Sequence, residues 1–497
     1  MGAIESARNL PAGSRLRCDV VVVGTGAGGS MAARELAARG AKVIALEEGS
    51  YVRQQQMTQR EDEMMPRLYQ ERGGRSTSDL AIRVIGGRAV GGSTVHNINL
   101  CKRTPTPILE LWQRRHHVSG CSEPELRPVF ESVEAELSVT EIPEAMRNAN
   151  NRVLERGVKA LGWKGGPLSH NRVGCQQSGF CEIGCPFDAK QNAVKVLLPS
   201  ALEHGARVIS DARVTRIVHD GKRARGVKVA APRGVLDIEA GAVVLAGSAV
   251  GSAVLARASA LPDPHDRLGR GLRMHPGVAV AGLFDERIEG WKGIPQSYEC
   301  TEHLDFSDGS ERRIWIITAF AHPIGASIML PGFGVAHHEW MRHYPNIAVL
   351  SAMIHDETEG RVGVRDDGRA RIDYELIDGD VHQLALGMRA CARLLFAAGA
   401  KRVLIPSVPA ITLERPDQIE SLPESAARPH HVGLVAVHPM GTLRMGDDAR
   451  AAVVKSTGEH HQVERLFVLD GSLFPTSIGG PPQISIYSFS KHLSRHV

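Results

Sequence analysis

The chain has 497 residues, room for two or three domains, and its 42% hydrophobic and 23% charged residues are those of a globular protein, not a disordered or collagenous one. Fifty-nine basic against 55 acidic side chains leave a formal charge of +4, and aromatics make up only 4%, so neither nucleic-acid binding nor base stacking is implied. Glycine is the outlier at 52 residues, above the ~7% average and without a collagen period or linker to absorb it.

Met1 to Arg17 lacks the apolar run of a secretory signal, and the uncharged stretch Gly241 to Ala256 is shorter than the ~20 residues that span a bilayer. A cytoplasmic protein without a membrane span is expected. Cys18-Asp-Val-Val-Val-Val-Gly reads as a buried parallel strand, because β-branched residues run on without polar alternation. Ser30 to Arg39 supplies the following helix, Gly40 closes it, and Lys42 to Leu46 is a second strand, which completes a βαβ unit.

Between strand and helix, Gly24, Gly26, Ala27, Gly28 and Gly29 fit G-x-G-x-x-G: a tight turn lets a pyrophosphate approach backbone N–H groups at the helix N-terminus. Glu47, followed by Glu48, stands about 20 residues later at the end of the second strand, where a carboxylate accepts from a ribose hydroxyl. A second glycine-rich loop, Gly86-Gly87-Arg88-Ala-Val-Gly91-Gly92-Ser93-Thr94-Val-His96-Asn97, adds hydroxyls and an arginine.

Further along, a helix from Lys195 to Glu203 precedes strands at 207–210, 213–219 and 225–230, with Asp220-Gly221 as a hairpin turn. Val243 to Ala246 is another buried strand, after which Gly247-Ser248 opens a helix. From about 281 to 429 longer alternating strands, such as 313–318 and 347–352, and a helix from Asp380 to Ala398 indicate a mostly antiparallel region. Leu466 to Leu469 is a buried strand ended by Asp470-Gly471, and a helix runs from about Pro482 to Ser494.

These motifs together resemble the glucose-methanol-choline (GMC) oxidoreductases, whose second loop reads G-R-x-x-G-G-S-S with an Asn close behind. Gly269-Arg-Gly-Leu-Arg-Met-His275-Pro276 looks like a short motif of that family, and His438-Pro-Met-Gly-Thr-Leu-Arg-Met-Gly446 resembles its H-x-x-G-T-x-R-M-G block. The resemblance implies an α/β protein: a Rossmann-like FAD-binding domain of the GMC/p-hydroxybenzoate-hydroxylase type, with a second α+β substrate domain on a mainly antiparallel sheet. The expected boundaries are 15–110, 185–280 and 430–497 for a discontinuous FAD-binding domain, and 281–429 with part of 111–184 for the substrate domain. It further implies FAD contacts from Arg88, Gly91, Gly92, Ser93, His96, Asn97, Val214, Asp470, Gly471, Pro482, Gln483 and Ile484, besides the first loop and Glu47 and Glu48.

By the same resemblance the protein is expected to oxidise an alcohol to an aldehyde or ketone, with His438 taking the hydroxyl proton as hydride passes to the flavin N5; imidazole suits the task because its pKa lies near neutrality. The implied partners are a small-molecule alcohol and an electron acceptor, whether oxygen, a quinone or a redox protein. In some relatives a His at the position of His96 is bonded to the flavin; the alternatives are a tether and a packing or hydrogen-bonding histidine.

Two departures leave alternatives open. Where the family has a second His or Asn, this chain has Pro481, which offers no side-chain donor and no backbone N–H. Either His438 works alone, or Gln483, Asn97 or Ser477 substitutes, or the fold serves a non-oxidative, lyase-type reaction or a non-enzymatic role. The second is the trio Cys175, Cys181 and Cys185, the last followed by Pro, which could hold a [3Fe–4S] cluster or be a loop of free thiols.

Overall fold

The computed structural model describes residues 4–307, 309–319 and 321–497. Its first sheet has eight strands, whose path runs Ile4–Ser6, Arg207–Ser210, Val43–Leu46, Arg15–Val23, Gly234–Leu245, Ala224–Ala231 and Arg213–His219, with Leu466–Val468 also paired to Gly234–Leu245. All pairs are parallel except those made by the hairpin strand Ala224–Ala231. Val20 to Val23 and Val43 to Leu46 are buried on both faces, as their unbroken apolar runs require.

Helix Ala27–Ala38 lies against this sheet by virtue of two close approaches. Gly24 has φ +100°, and a Cβ there would come within 2.3 Å of the Ala246 carbonyl oxygen; a Cβ on Gly28 would come within 1.8 Å of that of Leu469. The helix start is thereby pressed onto the carboxyl ends of the strands, where open α/β sheets bind their ligands. The C-terminal helix Gln483–Leu493 packs beside it, Ser490 Oγ donating to the Gly28 carbonyl at 2.7 Å.

A second sheet of nine strands follows the path Ile411–Leu413, Arg402–Ile405, Gly277–Leu283, Ile347–Ile354, Ile314–Thr318, Tyr298–Cys300 and Gly165–Pro167. Its pairs along this path are antiparallel, and the long helix Asp378–Ala397 shares its core through Val381, Leu384, Met388 and Leu395. Two short strands, Leu434–Ala436 and Ile82–Val84, run parallel to each other at its side, the former bridging Gly277. The sequence boundaries assign 82–84, 277–280 and 434–436 to the flavin region, whereas their hydrogen bonds lie in this second sheet. Strands of three residues show no readable period, and their partners are remote in sequence. Conversely, helices Thr106–His116 and Glu123–Glu136 bury Trp112, Leu126 and Phe130 in the core of the first sheet.

Among the described residues no helix is long and apolar enough to cross a membrane. Since the Leu469 carbonyl leaves no room for a methyl group, Gly28→Ala is expected to cost about 3 kcal/mol, read as a fall in thermal midpoint together with loss of bound flavin.

Candidate active site

A cavity of about 890 Å³ runs from the carboxyl edge of the first sheet to the face of the second. At one end stand Gly24, Gly26, Ala27, Gly28, Glu47, Glu48 and Val214; along its length Arg88, Gly92, Ser93, His96 and Asn97; at the other end His438, Pro481, Pro482 and Gln483, with Asp470 and Gly471 close to the helix start. The two glycine loops touch: a Cβ on Gly92 would lie 2.9 Å from the Gly26 Cα. Thr25 locks them together, its hydroxyl accepting from the Gly91 N–H at 3.0 Å while donating to Glu47 at 2.8 Å.

Three expected contacts lie elsewhere. Gly29 packs its helix onto the Gly24 carbonyl, a Cβ there meeting that oxygen at 1.9 Å; Gly91 sits under Val194 and Val95; Ile484 is fully buried in the first core. Each supports a neighbouring cavity residue. Glu47 is also turned inward: Thr25 and Gly49 N–H groups donate to it at 3.2 and 3.0 Å, and burial, opposed by those bonds, pushes its carboxyl up to about 7. Glu48, joined to Gln70, is the neighbouring carboxylate along the wall. Asp470 caps the turn 471–473, accepting from the Ser472 N–H at 2.8 Å and the Ser252 hydroxyl at 2.6 Å.

His96 is buried with its ring 4.0 Å from that of Tyr69, and its Nε2 has no hydrogen-bond partner among the described residues. Burial, and secondarily the charge of Lys190, lowers it to about 3, so it is a neutral imidazole. Lys190 itself donates to the carbonyls of Val95, Asn97 and Cys181, gripping the chain on both sides of His96. This clamp joins the flavin loop to the cysteine loop.

His438 lines the same cavity as Leu100, Trp315, Ile317, Met353, Val437 and Gln296. The Trp315 indole N–H is spent on Glu299. The donors expected to replace the side chain missing at Pro481 are engaged in the wall. Gln483 Nε2 donates to the Leu100 carbonyl at 2.6 Å, and its Oε1 accepts from Asn97 Nδ2 at 2.8 Å. Ser477 is fully buried and outside the cavity lining. Instead, His275 Nδ1 stands 3.2 Å from His438 Nδ1, with the rings at 86°. Burial first, and His275 second, hold His438 well below the ordinary imidazole pKa, and His355 behind them falls to about 4 by burial. His275 is within the Met-His-Pro motif, the one signal that could have singled it out.

Cys175, Cys181 and Cys185 are all free thiols and line a small hollow of about 20 Å³ with Arg172 and Lys190. Among the described residues no three His, Cys, Asp or Glu side chains converge as metal ligands, so the trio does not fit an iron–sulfur cluster.

The fold and this cavity define a flavin oxidoreductase. Residues 65–277 and 356–490 match models described as GMC oxidoreductase, and 19–58 match a FAD binding domain. A GMC-type oxidoreductase of Mycobacterium tuberculosis (strain ATCC 25618 / H37Rv) is 37% identical over 95% of this chain and 75% of its own. A long-chain-alcohol oxidase of Arabidopsis thaliana is 28% identical over 97% of this chain and 68% of its own. Of solved structures, pyridoxine 4-oxidase from Mesorbium loti superposes with a TM-score of 0.77 at 18% identity, covering 96% of this chain and 99% of that one; an Aspergillus oryzae formate oxidase variant gives 0.73 at 14%, covering 97% and 98%. The chain belongs to the GMC oxidoreductases and is an FAD-dependent enzyme. The residues present fit the dinucleotide: glycine backbone where a Cβ could not stand, a helix N-terminus without a side-chain cap, and an unpartnered neutral imidazole along the wall.

These buried histidines give a pH dependence whose sign follows from linkage. In the unfolded chain imidazoles titrate near 6.5, while in the folded molecule His96 stays neutral down to about 3 and His355 to about 4. Depressed folded values mean that the unfolded chain binds more protons between these limits. Stability is whole above pH 6.5 and is lost as pH falls from 6.5 toward 4. The thermal midpoint is expected to drop across that interval, with a shallower slope in His96→Gln.

Proposed function

We propose that the protein oxidises the CH–OH group of an alcohol with a largely apolar body to the aldehyde or ketone. The observation that carries this reading is that His438, an imidazole suited to proton exchange, lines one cavity together with the glycine loops and with Leu100, Trp315, Ile317 and Met353. FAD, when bound, supplies the hydride acceptor. His438 meets the substrate hydroxyl through Nε2, the ring nitrogen remote from His275, and exchanges the hydroxyl proton there. Trp315, Ile317, Met353 and Leu100 hold the body of the substrate and exclude water, and Pro481 adds shape without polarity. The alcohol substrate of the Arabidopsis relative agrees with such a lining.

Anaerobic mixing with sterol, terpenoid, aliphatic, aromatic and sugar alcohols tests the reading: apolar alcohols are expected to bleach the flavin, and sugars are not. No bleaching by any alcohol would favour the non-oxidative alternative. His438→Ala is expected to lower kcat/KM by about 100-fold or more; unchanged turnover would refute its role. With the His96 ring packed on that of Tyr69, the flavin is expected to be held without a covalent bond. Acid precipitation should then release all of it, and flavin retained on the protein would show a tether.

A further inference from the structure

The hydrogen bonds behind His438 run in one direction only. The Gly479 backbone N–H donates to His275 Nε2 at 2.9 Å. A backbone N–H is never an acceptor, so His275 Nε2 carries no proton, and a neutral imidazole then bears its proton on Nδ1. That N–H is aimed at His438 Nδ1, 3.2 Å away, which must accept it. The proton of neutral His438 is left on Nε2.

His275 is itself held firmly. It is buried, and its φ of +51° lies in the left-handed region, an arrangement that costs energy for a residue with a side chain. Asp356 compensates, its carboxylate accepting from the N–H groups of Met274 at 2.8 Å and His275 at 3.2 Å, while the Tyr374 hydroxyl donates to it as well. Strain at a buried histidine, secured by a buried carboxylate and aimed at the one imidazole that faces the substrate end, is more than packing needs.

We infer that His275 is a positioning residue that sets the tautomer of His438, keeping the proton of the resting imidazole on Nε2. The inference rests on the proposed role of His438 and refines it. His438 meets an incoming oxygen first as a hydrogen-bond donor, which supplies the contact that Pro481 cannot make. The same N–H suits the carbonyl oxygen of the product. Accepting the hydroxyl proton at Nε2 requires the opposite tautomer, reached when the shared proton passes from His275 Nδ1 to His438 Nδ1, water takes the Nε2 proton of His438, and water supplies one to His275 Nε2 in place of the Gly479 amide contact. Both tautomers of the pair are neutral, so the exchange adds no buried charge, and Gly479, two residues before Pro481, couples it to the cavity wall.

Nitrogen-15 NMR of holoenzyme labelled at histidine reads the tautomer directly, with the His438 signals assigned by their disappearance in His438→Gln. The expected spectrum has a protonated, pyrrole-type Nε2 and a pyridine-type Nδ1. A protonated Nδ1 in the unmodified protein would overturn the inference, and that measurement needs no variant of His275. His275→Asn, whose amide can still donate to Nδ1, is expected to keep the tautomer and most of kcat. His275→Leu should mix the tautomers and, with the donor contact to the incoming oxygen partly lost, raise KM about tenfold with a smaller change in kcat. An unchanged tautomer in His275→Leu would also refute it. Failure of every alcohol to reduce the flavin would remove the proposed reaction while leaving the tautomer result intact.

Discussion

The structure depends on backbone meeting backbone at the carboxyl edge of the first sheet. The carbonyls of Ala246 and Leu469 press against Gly24 and Gly28, and Gly92 lies against Gly26, at distances that exclude any side chain. Three strands remote in sequence are thereby gathered around one helix start. N–H groups at that start, unpaired within the helix, are available to an anion. The excess of glycine in the composition is concentrated in functionally placed turns, and its energetic cost in backbone entropy is met by the continuous apolar core beneath.

Burial sets the charge state of the histidines in and behind the cavity. Desolvation keeps His96, His275, His355 and His438 neutral, and a neutral imidazole can be a donor or an acceptor according to its neighbour. Behind His438 stands another imidazole, that of His275, where a carboxylate or a carbonyl commonly orients a histidine. Pro481 and the order behind His438 belong to one arrangement, because the loop that carries Pro481 also presents the Gly479 amide to His275.

Much of this was legible in the chain. Val20 to Val23, Val43 to Leu46 and Leu466 to Val468 declare themselves as interior parallel strands because both faces are covered, and Gly24 to Gly29 stands where a strand must turn sharply into a helix. The strands 82–84, 165–167 and 434–436 were not legible, being too short for any period to show. Site residues divide in the same way. The glycines are recognisable from spacing and His438 from the block that resembles the family's, whereas the destination of the Gln483 amide depends on Leu100 and Asn171, hundreds of residues away. Gly29, Gly91 and Ile484 belong to the right motifs but face the core, which spacing alone does not separate from facing the cavity.

Gln483 opens the C-terminal helix, lines the cavity, and ties Asn97 and Leu100 to that helix. One side chain thus serves both the shape of the cavity and the docking of the last element of the fold. A substitution at this position is expected to disturb that docking, while Gln296, in the bend before strand Tyr298–Cys300, can change with less consequence for the core. Divergence among relatives in what they accept should accumulate around Gln296, leaving the wall built from the chain terminus nearly constant.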